Sequence, residues 1–157
     1  MALFVNNNGQ VLENSGYTLE AGNRGHLYGD GLFESIRVMN GTPLNLEAHF
    51  FRLIDGAVAL KMRIPSFLTL EYFSKKIIEL VQKSEINAGG RVRFSLDRIS
   101  GGTYTPISNE CTYLIEVYPI NENKYELNEK GWEVDLFMEM MKHKTKLSNF
   151  KTKNGLC

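Results

Sequence analysis

The chain has 157 residues, of which 43% are hydrophobic and 23% are charged. A chain of this size and apolar content buries a hydrophobic core, which excludes a disordered or collagen-like protein. Lysine plus arginine number 18 and aspartate plus glutamate also number 18, so no net field attracts nucleic acid or an anionic membrane surface. We therefore expect neither partner, and any anion site must be local.

The cysteines, the histidines and the N-terminus exclude further classes of protein. Cys111 and Cys157 show no C-x-x-C spacing, so neither a disulfide scaffold nor a zinc site is indicated. His26, His49 and His143 lie far apart without metal-ligand spacing, and we predict no metal. Because the N-terminus lacks an export signal and no stretch reaches about 18 consecutive apolar residues, we expect a soluble, cytoplasmic protein.

Two hairpins are predicted in the first third of the chain. Asn8-Gly9 supplies the positive φ of a tight turn within residues 3–13, and Asn40-Gly41 does the same within residues 31–44. In the second hairpin the residues alternate between two faces. One face carries Leu32, Glu34, Ile36 and Val38, and the other carries Phe33, Ser35 and Arg37.

Two amphipathic helices follow the hairpins. Apolar residues recur at helical spacing over residues 46–60, with Asn45 as a plausible N-cap, and again over residues 69–84 after a break at Pro65. The apolar stripe of the first helix contains Leu46, Phe50, Leu53, Ile54, Ala57 and Leu60, and that of the second contains Leu70, Phe73, Ile77, Leu80 and Val81.

The second half of the chain returns to strand patterns. Residues 91–98 alternate cleanly, residues 111–118 are rich in strand-forming residues, and the Gly- and Thr-rich residues 99–106 predict a loop between them. The polar residues 121–125 are typical of a linker. A further strand is predicted from the alternation of Trp132, Val134, Leu136 and Met138.

These elements predict an α+β fold. Residues 1–120 form a small domain with an antiparallel sheet and two packed helices, and residues 126–157 begin a second, mainly β domain. Because Leu156 and Cys157 start an apolar stretch where the chain stops, we expect this second domain to be incomplete and the chain to be a fragment.

Two basic residues have alternative interpretations. Arg52 lies opposite the apolar stripe of its helix, so it either pairs with Asp55 in solvent or acts as an anion clamp that matches a phosphate. In either case we expect its replacement to leave the fold intact. Lys151 is one of five lysines between Lys142 and Lys153, which form either a solvated charge run or the setting of a nucleophilic lysine.

Three stretches of the sequence resemble one enzyme family. They are Arg24-Gly-His-Leu-Tyr-Gly-Asp-Gly-Leu-Phe-Glu-Ser-Ile-Arg-Val38, then Leu46-Glu-Ala-His-Phe-Phe-Arg-Leu53, and Lys146-Leu-Ser-Asn-Phe-Lys-Thr-Lys-Asn154. The chain thereby resembles the class IV, or fold type IV, aminotransferases. This pyridoxal-phosphate-dependent family includes branched-chain and D-amino-acid aminotransferases and aminodeoxychorismate lyases.

The resemblance assigns roles position by position. It implies that Lys151 forms the Schiff base with pyridoxal 5'-phosphate, with the family's Asn at Asn154, and that Arg52 contacts the cofactor phosphate. Tyr28 and Phe33 fall where the family places aromatics of the substrate pocket, although a hairpin aromatic can also be packing alone. Arg93 or Arg98 could meet a substrate carboxylate; otherwise each is a surface or cross-strand charge.

The activity implied is transamination between an α-amino acid and its 2-oxo acid, in a homodimer. The stretch Arg98-Ile-Ser-Gly-Gly-Thr-Tyr-Thr-Pro106 resembles a loop of some lyases, so pyruvate-releasing elimination by an aminodeoxychorismate lyase is the alternative within the family. A non-catalytic fragment or interaction module is the alternative of a different class. Family members are nearly twice this length, so we expect the chain alone to hold the cofactor poorly and to be inactive.

Overall fold

The computed structural model describes residues 3–136, 138 and 144–154. Within them, six strands form one antiparallel sheet, accompanied by three α-helices and one 3-10 helix at Asn14–Gly16. The strands and α-helices are β1 (Phe4–Asn7), β2 (Gln10–Glu13), α1 (Arg24–Leu27), β3 (Gly31–Met39), β4 (Thr42–Pro43), α2 (Leu46–Ala59), α3 (Leu70–Lys83), β5 (Gly89–Arg98) and β6 (Cys111–Ile120). The strand order in the sheet is β2-β1-β6-β5-β3-β4. The predicted α+β class is confirmed.

Both predicted hairpins are confirmed, and both turn on Asn-Gly pairs. Asn8 and Asn40 have φ values of 50° and 49°, and the glycine that follows each is also at positive φ. The central strands are long: β5 pairs with β3 from Gly90 to Asp97 and with β6 along its whole length. These central strands therefore form a rigid platform for the residues at their ends.

The two long helices pack on one face of this sheet and form the core with it. Phe73 of α3 lies 4.7 Å from Phe94 of β5 and 5.5 Å from Phe50 of α2, measured between ring centroids. Burying an apolar side chain of this size contributes about 1.5–3 kcal/mol, so this layer supplies much of the stability of the domain. Leu32 and Glu34 of β3 point to this face, which we call the helix face.

The two helices begin differently. Thr69 caps α3, since its side chain accepts a hydrogen bond from the Tyr72 backbone N–H at 3.2 Å. Asn45 precedes α2 as expected but is left-handed, with φ of 53°, and its side chain makes no capping bond. A side-chain cap needs an extended backbone, so the capping role predicted for Asn45 is wrong.

The strand predicted over residues 132–138 is also wrong. The described residues of this stretch form no strand, and Trp132, Val134, Leu136 and Met138 are 74–87% exposed. No described strand lies beside them to accept their backbone hydrogen bonds, and an unpaired strand is not stable. The division into a small domain, a linker and a second domain stays a prediction.

The last described segment, residues 144–154, returns to the sheet. Because β4 pairs only with Val38 and Met39, the edge of β3 is open at its N-terminal end. Thr152 forms an antiparallel bridge with Leu32 at this open edge. In the described part of the chain, no helix is long and apolar enough to cross a membrane.

Candidate functional site

Lys151 is held by backbone hydrogen bonds to β3. The Phe33 N–H donates to the Lys151 carbonyl at 2.9 Å, and the Lys153 N–H donates to the Gly31 carbonyl at 2.9 Å. Phe150, just before Lys151, packs against the core. The lysine is therefore fixed in position on the sheet edge by the segment on both of its sides.

Three of the residues predicted for the site come together on the face of the sheet opposite the helices. We call this the second face; it carries Phe33, Arg93 and Asp97. The Lys151 Nζ lies 5.0 Å from the ring centroid of Phe33, and the Cζ of Arg93 lies 4.0 Å from the same centroid. Among the described residues, no carboxylate forms an ion pair with either cation, so the pair can attract an anionic ligand.

Arg52 lies on the helix face and is bound to a buried glutamate. Its Nε donates to Glu34 Oε1 at 2.7 Å, its Nη2 donates to Glu34 Oε2, and His49 Nδ1 lies 2.7 Å from the latter oxygen. The Glu34 side chain is 1% exposed. The pairing with Asp55 considered from the sequence is therefore wrong, because Glu34 occupies the guanidinium.

The Glu34 carboxylate remains charged in spite of its burial. Burial alone would raise its pKa, but the hydrogen bonds from Arg52 and His49, and the charges of both, hold the pKa below its usual value. The same hydrogen bond raises the pKa of Arg52. Removing Arg52 would leave a buried carboxylate underpaired, which revises the expectation that the fold tolerates its replacement.

The Arg52 and Lys151 elements are in contact. Gly56, one turn beyond Arg52 on α2, has Leu32 and Phe150 beside it: a Cβ there would lie 2.9 Å from Leu32 Cδ2 and 3.4 Å from Phe150 Cβ. Within the described residues, Nη1 of Arg52 has no hydrogen-bond partner. The Arg52 guanidinium and the Lys151 amine thus lie on opposite faces of the sheet, on elements that touch each other beside one strand edge.

Arg98 lies in an internal network. Its side chain donates to Asp30, to Asn109 Oδ1 at 2.6 Å and to the Leu60 carbonyl at 2.8 Å, and the residue is 6% exposed. All three guanidinium nitrogens are thereby engaged. The structure thus distinguishes Arg98, which is engaged internally, from Arg93 as candidates for a substrate carboxylate. The sequence could not make this distinction.

Tyr28 packs against a buried arginine and a second tyrosine. Its ring stacks with the Arg24 guanidinium at 4.8 Å and lies 6.2 Å from the ring of Tyr104. Arg24 is buried and also donates to the carbonyls of Gly101 and Thr103. The Gly-rich loop therefore wraps around a buried arginine, which accounts for its composition without reference to a substrate.

Sequence reasoning missed Glu34 although a signal was present. The alternation of β3 already put Glu34 on the same face as Leu32, Ile36 and Val38, and a carboxylate on an apolar face needs a basic partner. Asp97, which pairs with Lys153, carried no such signal. Among the described residues no cluster of three or more His, Cys, Asp or Glu side chains could hold a metal ion, and His143 lies outside them.

Comparison with known proteins identifies the family. The sequence model described as amino-transferase class IV matches residues 31–156, well over half of the chain. The chain belongs to the class IV aminotransferase family. The match includes β3, Arg52 and the Lys151 segment.

Curated relatives share about a third of the residues over half of this chain. The D-alanine aminotransferase of Bacillus licheniformis is 34% identical over 83 residues, which cover 53% of this chain and 29% of that protein. The D-alanine aminotransferase of Listeria monocytogenes is 30% identical over 89 residues, 57% of this chain and 29% of that protein. The matched part thus spans less than a third of these class IV relatives.

Solved structures share the fold. The branched-chain aminotransferase of Thermoproteus uzoniensis, solved with norvaline, superimposes with a TM-score of 0.69 at 19% identity over 78% of this chain and 42% of its own. The PLP-bound form of a hypothetical aminotransferase from Mycobacterium tuberculosis superimposes with a TM-score of 0.62 at 24% identity, over 74% of this chain and 39% of its own. This class IV chain therefore has the architecture found in a part of those enzymes.

Proposed function

We propose that the intact protein is a pyridoxal-phosphate-dependent aminotransferase that interconverts an α-amino acid and its 2-oxo acid. One observation carries the proposal: Lys151 stands over Phe33 beside the Arg93 guanidinium, in the region that the family model matches. Relatives named as D-alanine aminotransferases and a neighbour named as PLP-bound support the cofactor and the reaction class.

Lys151 has two roles in this proposal. Its amine would hold the aldehyde group of the cofactor, and as a free amine it would accept the Cα proton and return it. Bound pyridoxal phosphate supplies the electron sink that makes this proton acidic. The backbone of Lys151 is hydrogen-bonded to Phe33 and is therefore fixed at the strand edge. Its side chain can move the proton only within the distance that it spans from this point.

Arg52 is the residue we propose for the cofactor phosphate. Glu34 holds two of its three guanidinium nitrogens and fixes the plane of the group, so Nη1 is the nitrogen left to donate. The arginine side chain is 41% exposed, so a ligand can reach it. A fixed fork loses little side-chain entropy on binding, which favours a phosphate over solvent.

Arg93 is the arginine we propose for the substrate carboxylate. It shares the second face with the Lys151 amine, whereas the guanidinium of Arg98 is fully engaged inside the domain. Phe33 and Tyr28 are proposed as the aromatic lining of the substrate pocket. We further propose that the intact protein is a homodimer, which the family resemblance supports. We also propose a cytoplasmic location, which the free thiol of Cys111 supports.

The reaction type is tested by dependence on an acceptor. The intact protein, loaded with pyridoxal phosphate, is given D-alanine or L-leucine with and without 2-oxoglutarate. Transamination must regenerate the aldehyde form through a second substrate, so turnover without an acceptor stops after one equivalent. Release of pyruvate from aminodeoxychorismate without any 2-oxo acid would replace the proposal with the lyase alternative.

The lysine assignment is tested by borohydride reduction and peptide mapping. We expect the pyridoxyl group on Lys151 and no activity in Lys151→Ala. Lys146→Ala is the matched control, since Lys146 is an exposed lysine of the same segment, and it should retain activity. A label on Lys146 in place of Lys151 would refute the assignment.

A further inference from the structure

Two lysines with the same chemistry point to the same face of the sheet. Lys151 and Lys153 flank the bridge residue Thr152, and side chains two residues apart in extended backbone share a face. The Lys151 Nζ lies over Phe33, and the Lys153 Nζ lies beside Asp97, both on the second face. Some feature of the protein must therefore determine which of the two amines reacts with the cofactor's aldehyde.

The Asp97 carboxylate packs against the backbone of two glycines, Gly25 and Gly31, where a larger residue would leave no room for it. A Cβ on Gly25 would lie 2.4 Å from Asp97 Oδ1, and a Cβ on Gly31 would lie 2.1 Å from the same oxygen. Asn23 Nδ2 also donates to Asp97 Oδ2 at 3.2 Å. The carboxylate, with its side chain 6% exposed, therefore has little freedom to move.

The Lys153 ammonium contacts both oxygens of this carboxylate. The Nζ–Oδ1 distance is 2.7 Å and the Nζ–Oδ2 distance is 2.8 Å, and the lysine side chain is 17% exposed. Lys151 has no carboxylate partner among the described residues. The two amines thus have different partners: Lys153 binds Asp97, whereas Lys151 lies over the Phe33 ring.

We propose that Asp97 selects Lys151 over Lys153 as the amine that reacts with the cofactor's aldehyde, and that it does so as a positioning residue acting through Lys153. The proposal rests on the proposed function, because it concerns which lysine carries the cofactor. It assigns a role to a carboxylate and to a lysine that the reaction itself does not use.

The selection has a chemical part. In the reaction an amine lone pair forms a bond to the aldehyde carbon, the nitrogen loses its protons, and the carbonyl oxygen leaves as water. The Lys153 Nζ lies within 2.8 Å of both Asp97 oxygens, so it would have to break this ion pair before it could bond to an aldehyde carbon. Lys153 is thereby kept out of the reaction while it stays bound to Asp97.

The selection also has a geometric part. A slip of the segment by one residue along β3 would move Lys151 to the helix face and bring Thr152 over Phe33. The backbone contact is short, with two hydrogen bonds to Phe33 and Gly31, and Phe150 packs against the core just before it. The ion pair of Lys153 with the fixed Asp97 adds a side-chain contact that a one-residue slip would break.

The chemical part is tested without any enzymatic activity. The intact protein is given a brief pulse of acetic anhydride, and acetylation at Lys151 and Lys153 is measured by mass spectrometry relative to the unfolded chain. We expect Lys151 to react about tenfold or more faster than Lys153, the factor set by one charge-assisted hydrogen bond, and Asp97→Asn to bring the two rates together. Equal rates in the wild type, or a ratio unchanged in Asp97→Asn, would overturn the proposal.

The geometric part is tested by hydrogen exchange at the Phe33 amide, which donates to Lys151. Lys153→Arg keeps the ion pair and should leave exchange unchanged, whereas Lys153→Met should speed it about tenfold or more. Neither variant alters the site that holds Asp97. Equal exchange in the two variants would show that the ion pair does not hold the segment.

Reductive labelling with pyridoxal phosphate joins the proposal to the function. We expect the label on Lys151 alone in the wild type and on both lysines in Asp97→Asn. No label on either lysine in the wild type would refute the proposed function. Label on Lys151 alone in both proteins would refute the role of Asp97 and leave the proposed function intact.

Discussion

Replacing Arg52 with methionine should destabilise the fold and identify Glu34 as the reason. The change keeps an apolar stem but leaves Glu34, whose side chain is 1% exposed, with only His49 as a partner. Two charge-assisted hydrogen bonds at about 1.5–3 kcal/mol each give an upper value of about 6 kcal/mol. Because Arg52 is 41% exposed and water replaces part of its contribution, we expect a loss of about 2–3 kcal/mol.

The assay is urea unfolding followed by far-UV circular dichroism. Fluorescence is a poor probe, because the single tryptophan, Trp132, is 83% exposed and lies outside the core. Arg63→Met is the matched control: its ion pair with Glu110 is 3.4 Å long between side chains that are 75% and 58% exposed. We expect the control to lose less than about 0.5 kcal/mol. A loss for Arg52→Met no greater than that of the control would refute the reasoning.

The remaining predictions concern pH, packing and thiol chemistry. The folded-state pKa of Glu34 is lowered, so its contribution to the free energy of unfolding is complete above the unfolded-state pKa of about 4.3 and is lost as the pH falls through the folded-state pKa. In Glu34→Gln the urea midpoint should therefore fall less steeply at acid pH than in the wild type. An equally steep fall in the two proteins would contradict this. Gly31→Ala brings a Cβ to 2.1 Å from Asp97 Oδ1 and should cost about 1–3 kcal/mol in urea unfolding, whereas Gly16→Ala, with open space around it, should stay within about 0.5 kcal/mol. Burial raises the pKa of Cys111 to about 11, so iodoacetamide at pH 8 should alkylate this thiol about a hundredfold more slowly than a small-molecule thiol. Mass spectrometry measures the rate, and a rate comparable to that of the small-molecule thiol would contradict the burial of Cys111.

Local signals in the sequence were sufficient for most of the fold. The turns at Asn8-Gly9 and Asn40-Gly41 are set by residues that adopt positive φ, and the helix stripes follow from spacing alone. The short helix α1, Arg24–Leu27, was missed because four residues are too few to show a period. The order of the strands could not be predicted, because the pairing of β1 with β6 joins residues more than 100 positions apart.

The candidate site was predictable to the extent that its residues form motifs. Lys151, Phe33 and Arg93 were all named from the sequence, and the structure brings them together. The partners that fix them were not named, since an ion pair such as Asp97–Lys153 depends on which residue of a docked segment meets which residue of a strand. Alternation along residues 132–138 gave a strand that does not form, because alternation describes a face and does not supply a neighbouring strand.

The two-residue length of β4 has a consequence for self-association. It leaves the backbone of Gly31, Leu32 and Phe33 to be covered by residues 151–153 alone. An uncovered strand edge beside a buried apolar residue is a template on which another chain can add a strand, and so leads to aggregation. A shortened chain that ended before residue 144 would expose this template in every molecule. The segment that carries the candidate catalytic amine therefore also covers the strand edge at residues 31–33.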